Sequence, residues 1–276
     1  MKIITNTAAL LRPEEGKRLG ITVLPVSVVL KNRPLRDYID IGPDEFSDLL
    51  HGDDVPVSSQ PSVGEVMELL ETSDEETILL TVGDGLSGEY MTAMGVRNTL
   101  PHKEKIHIID SGSLAGPLHY MALKAARLRD EGFSALDIAR QIRMSVRSSL
   151  SYVIPADLSY LKRSGRITNL TLKIGSALKL LPVLTQTEDR HRITLLSVKR
   201  TWRSAVGTVL TRMKEAGVNE NFLLSVGYAD RKEQALQALR LLKEQFPKSE
   251  SELIQLPPSL ITHGGPGCVT LHAVRK

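Results

Sequence analysis

The chain has 276 residues and a formal net charge of +3, with 41% hydrophobic, 24% charged and 4% aromatic residues. That is enough for one large domain or two modest ones with real cores, and the small charge and scarce aromatics argue against nucleic acid, which asks for a concentrated basic face or a stacking platform. No window approaches the roughly 18 uninterrupted apolar residues of a membrane span.

The first residues, MKIITNTAALLRPEE, lack the apolar stretch of a secretory signal. The single cysteine, Cys268, leaves no internal disulfide and no cysteine-based zinc site. Together these point to the cytoplasm. Short runs rich in Ile, Val and Leu at Lys2–Thr5, Thr77–Val82 and Ile106–Ile109 read as buried parallel strands. Helical patterns lie between and after them, at Pro13–Leu19, Val63–Leu70, Ser87–Asn98 and Leu114–Asp130. Ser134-Ala-Leu-Asp137 reads as a capping box opening a further helix to about Arg147. Ile21–Leu30, Lys31-Asn-Arg-Pro-Leu-Arg and Tyr38–Ile41 interrupt this rhythm and predict a projecting hairpin.

Past Leu150 the pattern changes. Leu184–Thr187 and Ile193–Val198 flank the polar turn Glu188-Asp-Arg-His as an antiparallel hairpin. Helix Trp202–Glu215, strand Phe222–Gly227, helix Gln234–Phe246 and strands Leu253–Gln255 and Val269–Val274 follow. The expectation is an α/β protein of two domains. Residues 1–150 form a three-layer α/β/α unit on a mainly parallel sheet, and 151–276 a two-layer unit with helices on one face of a mixed sheet.

Ligands of open α/β sheets bind at the carboxyl ends of strands, so the loops there are the functional candidates. Thr5-Asn6-Thr7 ends the first strand with small polar groups. Val57-Ser58-Ser59-Gln60-Pro61-Ser62 precedes a helix, where hydroxyls either cap the helix or help its free amides hold an anion. Gly83-Asp84-Gly85-Leu86-Ser87-Gly88 matches the dinucleotide pattern Gly-x-Gly-x-x-Gly, with Asp110 about 20 residues on. The plainer alternative is a glycine turn with Ser87 as N-cap. A hydrolase elbow is excluded, since Glu89 stands where its second glycine belongs. Tyr160-Leu-Lys-Arg-Ser-Gly-Arg-Ile167 carries Lys162, Arg163 and Arg166. Lys173, Lys179, Lys199, Arg200 and Arg203 extend the basic character, either as solvated helix faces or as a docking site for a phosphate or acidic partner. In Thr262-His263-Gly264-Gly265-Pro266-Gly267, dense glycines admit a ligand to the backbone and the histidine is a potential donor to a carboxylate.

In order and spacing, these segments resemble the DegV family over nearly the whole chain. The opening Ile-Ile-Thr-Asn-Thr is similar to that family's strand ending in Thr-Asp-Ser, Ser58-Ser-Gln-Pro to its Thr-Ser-Gln-Pro, and Leu86-Ser-Gly-Glu-Tyr to its Leu-Ser-Gly-Thr-Tyr. Leu161-Lys-Arg-Ser-Gly-Arg-Ile, Lys179-Leu-Leu-Pro-Val-Leu, Lys199-Arg-Thr and the segment from His263 to Gly267 match its remaining motifs.

The resemblance implies a lipid carrier rather than an enzyme, holding a long-chain fatty acid between two domains, without metal or cofactor. It further implies presentation of the carboxylate to a separate fatty acid kinase. The family's carboxylate-binding hydroxyls fall on Ser58 and Ser59. Its paired serines fall on Gly83 and Asp84, so one hydroxyl is absent and a carboxylate takes its place. Two carboxylates at about 4–6 Å repel. Asp84 therefore shares a proton with the ligand, turns away to cap the helix, or marks a different small anion or polar lipid as the ligand. Ser87, Gly88 and His263 complete the expected ligand set, with Lys162, Arg163, Arg166 and Arg200 reserved for a partner or a phosphate. A dinucleotide-dependent enzyme built on the glycine pattern, and a hydrolase using Ser87 with His263, are the competing functions.

Overall fold

A computed structural model describes residues 1–50, 55–72, 75–168 and 180–276. In chain order its first part comprises β1 (Lys2–Asn6), α1 (Pro13–Arg18), β2 (Ile21–Leu24), β3 (Ser27–Leu30), β4 (Arg33–Arg36), α2 (Pro43–Leu49), β5 (Val57–Ser59) and α3 (Val63–Glu71). There follow β6 (Thr77–Thr81), α4 (Glu89–Thr99), β7 (Ile106–Asp110), α5 (Ala115–Asp130) and α6 (Ala135–Ser148). The second part comprises β8 (Leu150–Ile154), α7 (Leu158–Ser164), β9 (Leu181–Gln186), β10 (Ile193–Lys199) and α8 (Trp202–Glu215). It ends with β11 (Phe222–Tyr228), α9 (Lys232–Gln245), β12 (Glu250–Gln255), α10 (Pro258–Gly264) and β13 (Val269–Arg275).

The first sheet runs β2-β1-β6-β7 and is parallel throughout. Its strands are apolar on both faces because helices cover both. Ile4, Leu79 and Ile108 pack under Val66, Leu70, Ala93 and Val96 of α3 and α4. Ile3, Ile78, Leu80 and Ile109 pack under α5 and α6. From β1 the chain goes to β2 on one side, and β6 then adds on the other. That places the switch point of the sheet between the ends of β1 and β6, the crevice where such sheets hold ligands.

The second sheet, β10-β9-β8-β13-β11-β12, is mixed: only β11 and β12 run parallel. Helices α8 and α9 cover one face through Val206, Val209, Met213, Ala238 and Leu242. The expectation of helices on one face is incomplete, because α5 and α6 press on the other face as well as on the first sheet. Eleven of the sixteen residues of α5 are buried as a result. Small side chains permit that double contact: a Cβ at Gly116 would lie 1.8 Å from the Ser225 Oγ.

The projecting hairpin is real but shorter than expected. Pro25 divides Ile21–Leu30, so Ile21–Leu24 joins the main sheet and Ser27–Leu30 pairs with Arg33–Arg36. Lys31 (φ 52°) and Asn32 (φ 60°) make the two-residue turn, whose positive φ pair suits the twist of the strands. Val57–Ser59 adds to β3 as a third strand, although its residues read as loop. β8, central to the second sheet, and the short helices α2, α7 and α10 also lay outside the expected elements.

Candidate functional site

The switch point opens into a polar cavity of about 280 Å³. Its wall is formed by Asn6 and Ala8 after β1, Val82 and Leu86–Glu89 after β6, Ser58–Pro61 from β5, and Leu114. Arg166, Ser259, Leu260 and His263 supply the opposite side. A narrower apolar slot adjoins it, lined by Val153, Leu161, Ile193, Leu256, Cys268 and others. Leu86, Leu114, Arg166, Leu260 and His263 belong to both walls. The site is therefore polar at the sheet's carboxyl edge and apolar toward the second sheet.

Ser58 does not cap a helix. That task falls to Ser62, whose Oγ accepts from the Glu65 amide while the Glu65 carboxylate accepts from the Ser62 amide. Pairing of β5 with β3 holds Ser58 opposite Val28, and its Oγ lies 2.7 Å from His263 Nε2. Burial, and then the charge of Arg166, push His263 down to about 4, so the ring is neutral at pH 7. The helix carrying it is tied down at its start by Asp37. The Asp37 carboxylate accepts from the Ser259 amide and hydroxyl and from the Thr7 hydroxyl, and burial pushes its pKa up to about 6. Ser59, the next residue, also lines the cavity.

Ser87 lies in the wall, and its Oγ accepts from the Glu89 amide at 3.2 Å. The N-cap position is Gly88, one residue on. Glu89 is only 2% exposed. Its Oε2 accepts from Asn6 Nδ2 at 2.6 Å and from the Val82 amide at 2.9 Å, bridging the ends of β1 and β6 across the switch point. Burial pushes its carboxyl up to about 7. Arg166 comes from beyond the end of α7, donating Nε to the Leu86 carbonyl at 3.2 Å and Nη1 to the Ser164 carbonyl at 2.6 Å.

Other expected residues sit elsewhere. Gly83 and Asp84 are outside the cavity wall; Asp84 faces a shallow outer cleft with Ser164, Gly165 and Arg192. That geometry removes the ground for inferring an unusual ligand from Asp84. Lys162 and Arg163 are exposed on α7, the Arg163 guanidinium stacked 4.6 Å from the Tyr160 ring centre, and Arg200 is exposed before α8. Arg166 thus parts company with the basic cluster it was grouped with. Lys173 and Lys179 lie outside the described residues.

The dinucleotide reading fails on the same geometry. Asp110 accepts from the amides of Asp84 and Gly112, so it staples two loops together. Gly83 lies against the following loop, where a Cβ would meet the Ser113 amide nitrogen at 2.7 Å, and a Cβ at Gly85 would meet His191 at the same distance. Gly83 and Gly85 thus serve the approach of one chain segment to another, and Asp110 is spent on backbone amides rather than on a ribose. The hydrolase pairing fares no better: His263 bonds Ser58, and among the described hydrogen bonds no carboxylate orients its other nitrogen.

Among the wall residues passed over as ligand candidates in the sequence are Glu89, Ser259 and Leu260. Glu89 was visible as the residue that breaks the hydrolase-elbow pattern and as the acid where the resemblance has threonine in Leu-Ser-Gly-Thr-Tyr. Ser259 and Leu260 precede the glycine-rich ending, inside a helix that Pro257-Pro258 announces.

The family model described as "Uncharacterised protein, DegV family" matches residues 1–276. A DegV domain-containing protein of Halalkalibacterium halodurans is 27% identical over 98% of this chain and 96% of its own. Among solved structures, a fatty-acid-binding DegV family protein from Thermus thermophilus superposes with a TM-score of 0.88 at 24% identity, covering 100% of this chain and 99% of that one. A stearic acid-binding protein from Eubacterium ventriosum gives 0.87 at 23% identity, covering 100% and 98%. At such identities the superpositions speak for the fold. With a family match along its full length, the chain belongs to the DegV family.

Proposed function

We propose that this protein is a carrier of a long-chain fatty acid, holding the carboxylate in the polar cavity and the acyl tail in the apolar slot between segments 1–150 and 151–276. The observation that carries the reading is the continuity of the two spaces: Leu86, Leu114, Arg166, Leu260 and His263 are shared walls of both. Arg166 supplies a cation for the head group, and Ser58, Ser59, Ser87 and neutral His263 supply hydrogen bonds. The fold-mates from Thermus thermophilus and Eubacterium ventriosum, described as binding a fatty acid and stearic acid, support the same ligand class. In this reading the protein performs no chemistry itself. It presents the carboxylate to a separate fatty acid kinase in the cytoplasm, and the exposed basic residues Lys162, Arg163 and Arg200 form the surface that meets an acidic partner face.

The test is a chain-length series. Each buried methylene contributes about 0.8 kcal/mol, so affinity should climb about fourfold per methylene until the slot is full. Ser58→Ala should weaken palmitate binding by about 1.5–3 kcal/mol, the cost of a lost hydrogen bond to a charged group. Affinity independent of chain length overturns the carrier reading.

A further inference from the structure

Glu89 is the one carboxyl group in the described wall of the polar cavity, and its hydrogen bonds are lopsided. Both donors, Asn6 Nδ2 and the Val82 amide, go to Oε2. Oε1 is buried without a hydrogen-bond partner. An ionised carboxylate shares its charge between two oxygens and seeks donors for both, whereas a protonated one has an accepting carbonyl and a donating hydroxyl. Two donors on one oxygen and none on the other is the pattern of the protonated form, with Oε1–H lacking an acceptor.

The surroundings favour that form. From β1 and the end of β6 come only the amide donors, and the preceding turn contributes the Ser87 hydroxyl. Ser58 and Gln60 face the cavity from the β5 side, uncharged. On α10 stands His263, neutral, with Asp37 behind Ser259 and spent on it. Arg166 is the cation of the described wall, its guanidinium held by the Leu86 and Ser164 carbonyls.

We propose that Glu89 is a head-group-binding residue that acts as a protonated carboxyl, its Oε1–H donating to the ligand carboxylate, so that fatty-acid binding takes up a proton wherever free Glu89 is ionised. The inference rests on the fatty-acid reading above. The proton comes from solvent and stays on Glu89 as a donor, and no covalent bond changes. Arg166 balances the ligand's charge. The raised pKa of the buried carboxyl, about 7, agrees with this and makes the uptake measurable on the alkaline side.

The experiment is calorimetric titration of the full chain with myristate at about pH 8.5 in two buffers of different ionisation enthalpy, repeated as a Kd series toward lower pH. The expected result is uptake of close to one proton per site, with Kd rising about tenfold per pH unit above the titration of Glu89. Glu89→Gln keeps a donor in place but cannot titrate, so its Kd should be flat and its proton uptake near zero. Tetradecanol, with a neutral head, should show neither effect in the wild-type protein. Myristate binding with no proton uptake and a flat Kd overturns the role of Glu89 and leaves the carrier reading standing. Absence of myristate binding at every pH overturns both. Should Glu89→Gln fail to fold, the wild-type buffer pair decides alone.

Discussion

Replacing Arg166 by alanine separates a ligand-binding role from a docking one. The guanidinium has five N–H donors, of which Nε–H and one on Nη1 are engaged with the Leu86 and Ser164 carbonyls. Three remain for a ligand in the cavity that Arg166 lines. Hydrogen bonds to a charged group contribute about 1.5–3 kcal/mol, so Arg166→Ala should weaken palmitate binding by about 10-fold to 150-fold. Arg166→Lys should recover part of this, since it restores the charge but not the fork. A matched monoacylglycerol should lose far less. An independent readout comes from His263, whose pKa is held near 4 by burial and then by the Arg166 charge, and which should rise in the variant. Calorimetry measures the first effect and NMR titration of the ring the second. A folded Arg166→Ala protein that binds palmitate like wild type would place the head group elsewhere and return Arg166 to a partner-facing role.

Two further predictions follow from buried groups. Burial lifts the Glu89 carboxyl from its ordinary 4.5 to about 7, so between those values the unfolded chain has released a proton that the folded chain keeps. Stability therefore falls as pH rises through that window, by about 3 kcal/mol in all. Asp37 works in the same direction, and His263 and His272 in the opposite one, losing stability as pH falls below 6.5. Comparing Glu89→Gln with wild type cancels those shared contributions. Chemical unfolding should find the variant gaining about 2–3 kcal/mol relative to wild type between about pH 5 and about pH 8, whereas an equal difference at both refutes the assignment. Gly83→Ala drives a methyl into the Gly112–Ser113 backbone. It should cost about 1–3 kcal/mol, seen as a melting temperature lower by several degrees; an unchanged melt would mean that the loops are free to part.

The parallel core was legible because strands buried on both faces read as uninterrupted Ile, Val and Leu, and β1, β6 and β7 come within one residue of expectation at each end. β8 was missed because Leu150-Ser-Tyr-Val-Ile is short and follows a helix without a turn signal. The fate of Ile21–Leu30 turned on a single proline. At the site, Ser58, Ser87, Gly88 and His263 were named from motifs, and the structure brings them into one wall. What local sequence could not convey was which way each side chain of a loop turns. Asp84 and Glu89 lie five residues apart on the same segment, and the acid that enters the cavity is the one at the first position of α4, not the one between glycines. Arg166 is set apart from Lys162 and Arg163 for a related reason. Gly165 (φ 70°) ends α7 in a left-handed turn and sends the next side chain inward, away from Lys162 and Arg163.

The carrier reading is tested most directly by denaturing the purified protein, extracting it with organic solvent and weighing what is released by mass spectrometry. A dozen buried methylenes would contribute about 10 kcal/mol, enough for the ligand to survive purification. The expected result is a long-chain fatty acid approaching one per chain. A stoichiometric dinucleotide, or no acyl species from a protein that also fails to bind palmitate when it is added back, would contradict it.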